Sequence, residues 1–144
     1  NLIDKFSGQV SGESIIEKNQ VEIKEIFEQE NIEEILNKIY SLSQNGSEFS
    51  KNTEHELKGK SPTSLKITFK QIHMATEMSL REALIMEYRM VQRCQASGDF
   101  YEGVRAMLVD KDRNPQWKPS NLDKVDEIWV NHFFEPLHEK DLKI

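Results

Sequence analysis

The residues of this chain that have the means to do chemistry are few and widely spaced. A catalytic histidine needs a nucleophile or carboxylate in reach, and a histidine metal site needs H-x-x-x-H or H-E-x-x-H spacing. His55, His73, His132 and His138 are dispersed, and none has the metal-site spacing. His73 follows Ile72 at the border of an apolar stripe and reads as a satisfied boundary histidine, while the others read as surface residues. Cys94 is the only cysteine, so no internal disulfide and no cysteine-based zinc site can form within the chain. Arg93 beside it favours the thiolate slightly, yet with Val91 near and no histidine base in sequence reach, a small packed thiol is expected.

The densest chemical stretch is Asp99–Pro119, DFYEGVRAMLVDKDRNPQWKP. Asp110, Asp112 and Asn114 have the spacing of a calcium loop. Its sixth position, however, is Pro115 where a glycine is needed, and its twelfth is Asn121 instead of a bidentate glutamate. Calcium is therefore not expected. Glu102, three residues after Asp99, reads as the partner of an Asp99 capping box, and Arg105 is expected to pair with Glu102 or lie along the helix surface. Trp117, between Pro115 and Pro119, reads as an anchor folding the loop back onto the helices. Gly98 and Gly103 belong to no phosphate loop, and no G-x-S-x-G elbow is present. No catalytic, cofactor-binding or metal-ligating residue is assigned.

The elements that position these residues read as helices. Signal starts near Ile15, and Ile32, Ile35, Leu36, Ile39 and Tyr40 make an amphipathic stripe. Ser43–Gly46 stops it, with Gly46 suited to a left-handed cap. Ser47–Lys58 is a weaker helix anchored by Phe49 and Leu57. Ser61-Pro62 opens another, by a hydroxyl cap and a proline whose missing N–H costs nothing there. Leu65, Phe69 and Ile72 are its expected inner stripe, widened by Ile67 and Met74. Ser79 and Glu82 form an S-x-x-E box before the longest helix. That helix carries Leu80, Leu84, Tyr88 and Val91 on one side and Ile85, Met86 and Met90 on another, the mark of a central helix packed between neighbours. Phe100, Val104, Met107 and Leu108 give one more stripe, and Asp126–Phe134 a last short helix. No segment alternates with period two. The expectation is an all-α chain of about seven helices.

Composition narrows the functional classes. At 144 residues the chain fits one domain. A net charge of −6 with no basic run argues against a nonspecific nucleic-acid or acidic-membrane binder, which needs clustered Lys and Arg. No apolar stretch approaches the roughly 20 residues of a membrane span. No secretory or transit-type leader is evident at Asn1, and the chain reads as a fragment of something longer.

Three blocks, SPTSLKIT at Ser61–Thr68, MEYRMVQRC at Met86–Cys94 and the Asp99–Pro119 run, resemble in order the C-terminal part of 3-hydroxyisobutyryl-CoA hydrolases of the crotonase (enoyl-CoA hydratase/isomerase) superfamily. The resemblance is strong over roughly residues 61–119 and weaker before and after. It implies a helical C-terminal cap of a crotonase-type enzyme whose catalytic α/β core is absent from the chain, with residues 1–14 a leading segment and 15–144 a single helical domain. It also implies a thioester hydrolase of valine breakdown, in mitochondria, whose oxyanion is held by two backbone N–H groups of the core. Coenzyme A enters as part of the substrate and no separate cofactor is implied. The expected partners are the missing N-terminal core and other subunits, and the chain alone is expected to be inactive. The other reading is a non-enzymatic helical interaction module, such as a hydrolase-like structural subunit of a mitochondrial ribosome.

Overall fold

The computed structural model describes residues 12–144. Most of the expected leading segment, residues 1–11, therefore lies outside the described residues. Among the described residues, eight α-helices run in order: α1 (Ile15–Lys18), α2 (Gln20–Phe27), α3 (Ile32–Gln44), α4 (Glu48–Lys58), α5 (Pro62–Ala75), α6 (Leu80–Ala96), α7 (Gly98–Val104) and α8 (Glu127–His132). A π-helical turn, Arg105–Val109, extends α7, and short 3-10 turns fall at Leu122–Lys124 and His138–Lys140. No strand occurs among the described residues.

Caps define these boundaries. Asn31, Ser47, Ser61, Ser79 and Asp126 each accept a backbone N–H of the helix they precede, which satisfies a donor with no intrahelical partner. The Ser79–Glu82 pair closes a full capping box, and a second, at Ser14 and Glu17, opens α1. Gly46 sits at φ 98°, the left-handed conformation that stops α3 and that a side chain would strain.

Two apolar cores hold the chain together. In the first, Ile26 of α2 and Ile32, Ile35 and Ile39 of α3 pack with Phe49, Leu57, Leu65 and Phe69. In the second, Ile67 of α5 and Met86 and Met90 of α6 meet Val125, Val130, Phe133 and Phe134. Helix α5 feeds both, presenting Leu65 and Phe69 to one core and Ile67 to the other. The central helix is thus α5. The longest helix, α6, is buried only along Met86 and Met90, while Leu80, Leu84 and Val91 face outward. The stripe read on α5 shifts likewise: Ile67 is inside and Ile72 is exposed. Of the last apolar run, Val130, Phe133 and Phe134 are core and only Ile128 and Trp129 are exposed.

Polar ties cross between elements where the cores end. The Glu22 carboxylate of α2 accepts the hydroxyls of Ser47 and of fully buried Ser50, fixing the start of α4. Lys66 of α5 reaches Glu33 at 2.7 Å and the Val125 carbonyl at 3.0 Å. Arg89 of α6 pairs with Asp141, which seats the C-terminal segment and holds the Asp141 carboxyl below its usual range.

Candidate functional site

The Asp99–Pro119 run folds into one interlocked unit centred on Arg105. The π-helical winding, in which Asp110 N–H donates to the Arg105 carbonyl at 2.8 Å, turns the chain so that two acidic residues beyond the helix fall back on Arg105. Its guanidinium donates through Nε and Nη2 to Glu102 at 2.9 and 2.8 Å. Nη1 donates to Asp110 at 2.6 Å and Asp112 at 2.7 Å, and Nη2 also reaches the Asn114 carbonyl at 3.3 Å. A guanidinium has five N–H donors, and five contacts are made here. None is left for a substrate phosphate. Arg105 is a clamp.

Glu102 is the clamp's second jaw. It takes the bidentate arginine contact and also the Gln116 backbone N–H at 2.6 Å, and these bonds pull its pKa down to about 2. Asp112 is likewise held below the usual carboxylate range, by Arg105 and by the Asn114 N–H. Lys111 and Arg113 adopt left-handed backbone, φ 57° and 54°, which non-glycine residues rarely do. Arg113 N–H meets the Ala106 carbonyl at 3.0 Å, so the strained turn is tied to the helix it leaves. The carboxylates read in sequence as calcium spacing are turned onto the arginine.

Trp117 closes the lock. Its indole N–H donates to the Gly59 carbonyl at 3.0 Å, on the far side of the fold in sequence. Its ring lies over Gly103, where an added Cβ would come within 3.3 Å of the indole edge. That close approach favours glycine at this point of the helix, where glycine otherwise costs about 1 kcal/mol against alanine. The anchor expected of Trp117 is present.

Asp99 behaves differently from expectation. Ser97, not Asp99, precedes α7, and it makes no side-chain cap. Asp99 lies within the helix and accepts the Ser61 hydroxyl at 2.5 Å and the Lys118 backbone N–H at 3.0 Å. It ties the start of α5 to the returning loop, and Glu102 is committed to Arg105. Both partners of Asp99 are distant in sequence, so capping spacing alone pointed to the wrong role.

The remaining reactive residues stay apart. His73 contacts the Phe69 carbonyl at 2.9 Å, and His132 pairs with Glu135 at 3.0 Å beside Trp129. His55 lies on α4 in a shallow cleft with Glu54 and Lys58, and His138 sits in the final 3-10 turn. Burial pushes the Cys94 thiol up from its ordinary value, so Arg93 does not activate it. Instead, Arg93 Nη2 reaches the Pro136 carbonyl at 3.4 Å.

The described residues form a helical fold with a locked acidic loop, and comparison with known proteins identifies its family. The chain belongs to the enoyl-CoA hydratase/isomerase family, whose model matches residues 1–134, within the crotonase superfamily. It is 44% identical over 130 residues to the mitochondrial 3-hydroxyisobutyryl-CoA hydrolase of Danio rerio, covering 90% of this chain and 33% of that protein. The Gallus gallus and Homo sapiens proteins of the same name are each 42% identical, over 92% and 90% of this chain. The chain thus spans about a third of the length of these relatives. Among solved structures it superposes on an enoyl-CoA hydratase from Rhodobacter sphaeroides with TM-score 0.85 and 26% identity, over 99% of this chain and 44% of that one. A carnitinyl-CoA dehydratase from Mycobacterium thermoresistibile gives TM-score 0.83 at 26% identity, over 94% and 38%.

These matches correct the expectation of a C-terminal helical cap. The family match begins at residue 1 and continues through residue 134, and nearly the whole chain superposes on close to half of a hydratase. The helices are an integral part of the hydratase/isomerase fold, not a cap appended to it. The all-helical character of the described residues stands, with eight α-helices in place of about seven.

Proposed function

We propose that this chain is part of a mitochondrial hydrolase that cleaves the thioester of 3-hydroxyisobutyryl-CoA in valine breakdown, with residues 15–144 acting as one helical unit. The observation that carries this reading is identity above 40% to hydrolases of that name across nine-tenths of the chain. All five Arg105 guanidinium donors serve the loop, so in this reading Arg105 is a structural clamp and not a substrate contact. In the proposed enzyme, preorganised backbone N–H groups outside this chain hold the oxyanion as the thioester carbonyl is attacked. Coenzyme A is part of the substrate.

The test is an assay of the complete gene product and of the 144-residue chain side by side, following thiol release from 3-hydroxyisobutyryl-CoA and hydration of crotonyl-CoA. Thiol release by the complete protein, with none from the chain alone, is the expected result. Hydration without thiol release would replace the hydrolase reading with a hydratase one. Hydrolysis at enzymatic rates by the isolated chain would place the chemistry on it and sink the proposal.

One observation favours a second, non-enzymatic reading as an interaction module. Leu80 is 77% exposed and Leu108 and Val109 are each 68% exposed, on α6 and on the turn that follows α7. Such apolar area drives association. The isolated chain is therefore expected to self-associate in sedimentation velocity or to enhance the fluorescence of a hydrophobic dye, and a monodisperse, dye-silent monomer would contradict this. If the complete protein lacks thioesterase activity but copurifies with a stable partner, and if Leu108→Asp abolishes that association, the module reading prevails.

A further inference from the structure

We infer that Asn45, at the corner between α3 and α4, is a site of spontaneous deamidation, where the side-chain amide leaves as ammonia and an aspartate or isoaspartate remains. Asparagine is a thermolabile side chain. Its weak point is attack on its own Cγ by the backbone nitrogen of the next residue. A side chain on that next residue crowds the attack, and glycine removes the obstacle. Of the asparagines in this chain, only Asn45 is followed by glycine.

The structure leaves the reaction room. Asn45 caps the C-terminus of α3 and is exposed, and its carboxamide makes no hydrogen bond among the described residues. Gly46 is exposed too, with nothing within 4 Å of the place a Cβ would occupy. One contact opposes the attack: the Gly46 N–H donates to the Ser43 carbonyl at 3.2 Å. That bond is long and lies at an exposed helix end, where local opening costs little free energy. Ring closure also needs rotation about the Asn45 ψ, which stands at 5°, and the same opening supplies it. Other asparagines are better protected. The carboxamides of Asn19 and Asn31 are engaged with the Ile15 carbonyl and the Glu34 N–H. Asn37 and Asn52 lie inside α3 and α4, where the helix holds the next N–H. Asn114 precedes Pro115, whose nitrogen has no hydrogen to lose.

The Gly46 nitrogen gives its proton to hydroxide and bonds to Asn45 Cγ, the Cγ–Nδ2 bond breaks, and ammonia leaves with a proton from water. Water then opens the five-membered imide. Breaking the bond from nitrogen to Cγ gives aspartate. Breaking the bond to the main-chain carbonyl carbon gives isoaspartate, whose backbone runs through Cβ. Either product puts a carboxylate at the C-terminus of α3, the negative end of the helix dipole. Isoaspartate also lengthens the turn by one carbon, inside the loop that the Ser47 N–H closes on the Leu42 carbonyl at 3.1 Å. Both products therefore weaken the corner. The inference does not depend on the hydrolase reading.

The test incubates the complete gene product at mildly alkaline pH and physiological temperature, folded and, in parallel, unfolded in guanidinium. Peptide mapping by mass spectrometry follows the replacement of NH2 by OH, and methylation by a protein isoaspartyl methyltransferase measures isoaspartate. In the folded protein Asn45 is expected to convert severalfold faster than any other asparagine of residues 12–144. Folded and unfolded protein should differ severalfold at most. Asn45→Gln, which keeps Gly46 in place, should remove the isoaspartate signal of that peptide. If Asn45 stays intact in the folded protein while converting in guanidinium, the Ser43 bond holds the turn shut and the inference is overturned. No conversion in either state, or faster conversion at another of these asparagines, would overturn it as well.

Discussion

Phe133→Ala is expected to destabilise the chain by about 3–5 kcal/mol, the range for truncating a buried aromatic that leaves a cavity behind. Phe133 is 1% exposed and joins Ile67 of α5 to Met86 and Met90 of α6, so its ring fills the space that makes three elements one core. A domain of this size has only about 5–15 kcal/mol to lose, and the variant should be close to unfolded at physiological temperature. Ile128→Ala, five residues earlier, is the matched control. Its side chain is 82% exposed and the change should stay within about 0.5 kcal/mol. Urea denaturation followed by circular dichroism separates the two. Equal effects would mean that Phe133 is not a core residue and that the second core does not depend on it.

The run from Ile128 to Phe134 illustrates which parts of this fold are legible in sequence. Helix starts and stops were readable, because a cap acts within a few residues: Ser61-Pro62 and Ser79 with Glu82 open helices and Gly46 ends one, as their local chemistry dictates. Inward faces were readable where one stripe was much more apolar than its alternative, as along Ile32, Ile35 and Ile39. Helix α5 defeated that rule by using two faces for two cores, so a search for one inner stripe accepted Ile72 and treated Ile67 as secondary. On α6 two apolar faces implied neighbours on both sides, yet one face is exposed. Periodicity says which residues share a face, and nothing about whether anything covers it.

The site residues divide along the same line. Trp117 was legible as an anchor because an aromatic between prolines in a charged loop has little else to do. Its partners, Gly59 and Gly103, were not. Asp99 was misread because a carboxylate three residues before a glutamate is consistent with capping, whereas its actual partners lie 38 and 19 positions away. The Arg105–Glu102 pair was legible from its spacing of three on a helix. The recruitment of Asp110 and Asp112 depends on the π-helical winding and the two left-handed residues, which no propensity of Lys111 or Arg113 announces.

The consequence of that clamp is an acid-sensitive loop. Glu102 is depressed to about 2 in the folded chain, chiefly by the Arg105 hydrogen bonds and then by the Gln116 N–H, from an ordinary value near 4.5. A carboxylate whose folded pKa lies below its unfolded one contributes its full stabilisation above the unfolded value and loses it as pH falls through the folded value. The Glu102 contribution is therefore complete at neutral pH, declines from about pH 4.5, and is gone below about 2. Asp112, shifted in the same direction, adds to the loss at the acidic end of that window. In a Trp129→Phe background, Trp117 emission should move to longer wavelength on acidification as the loop leaves Gly103. Glu102→Gln removes the titrating group and the charge that Arg105 requires. Its Trp117 emission should already be shifted at neutral pH, and its pH dependence across that window should be much weaker. Arg105→Leu should produce the same neutral-pH shift with a larger fall in melting temperature, because it orphans Glu102, Asp110 and Asp112 together. A Glu102→Gln variant that kept native emission and native acid sensitivity would mean that Trp117 is held by its contacts with Gly59 and Gly103 alone, and that the arginine network decorates the loop without securing it.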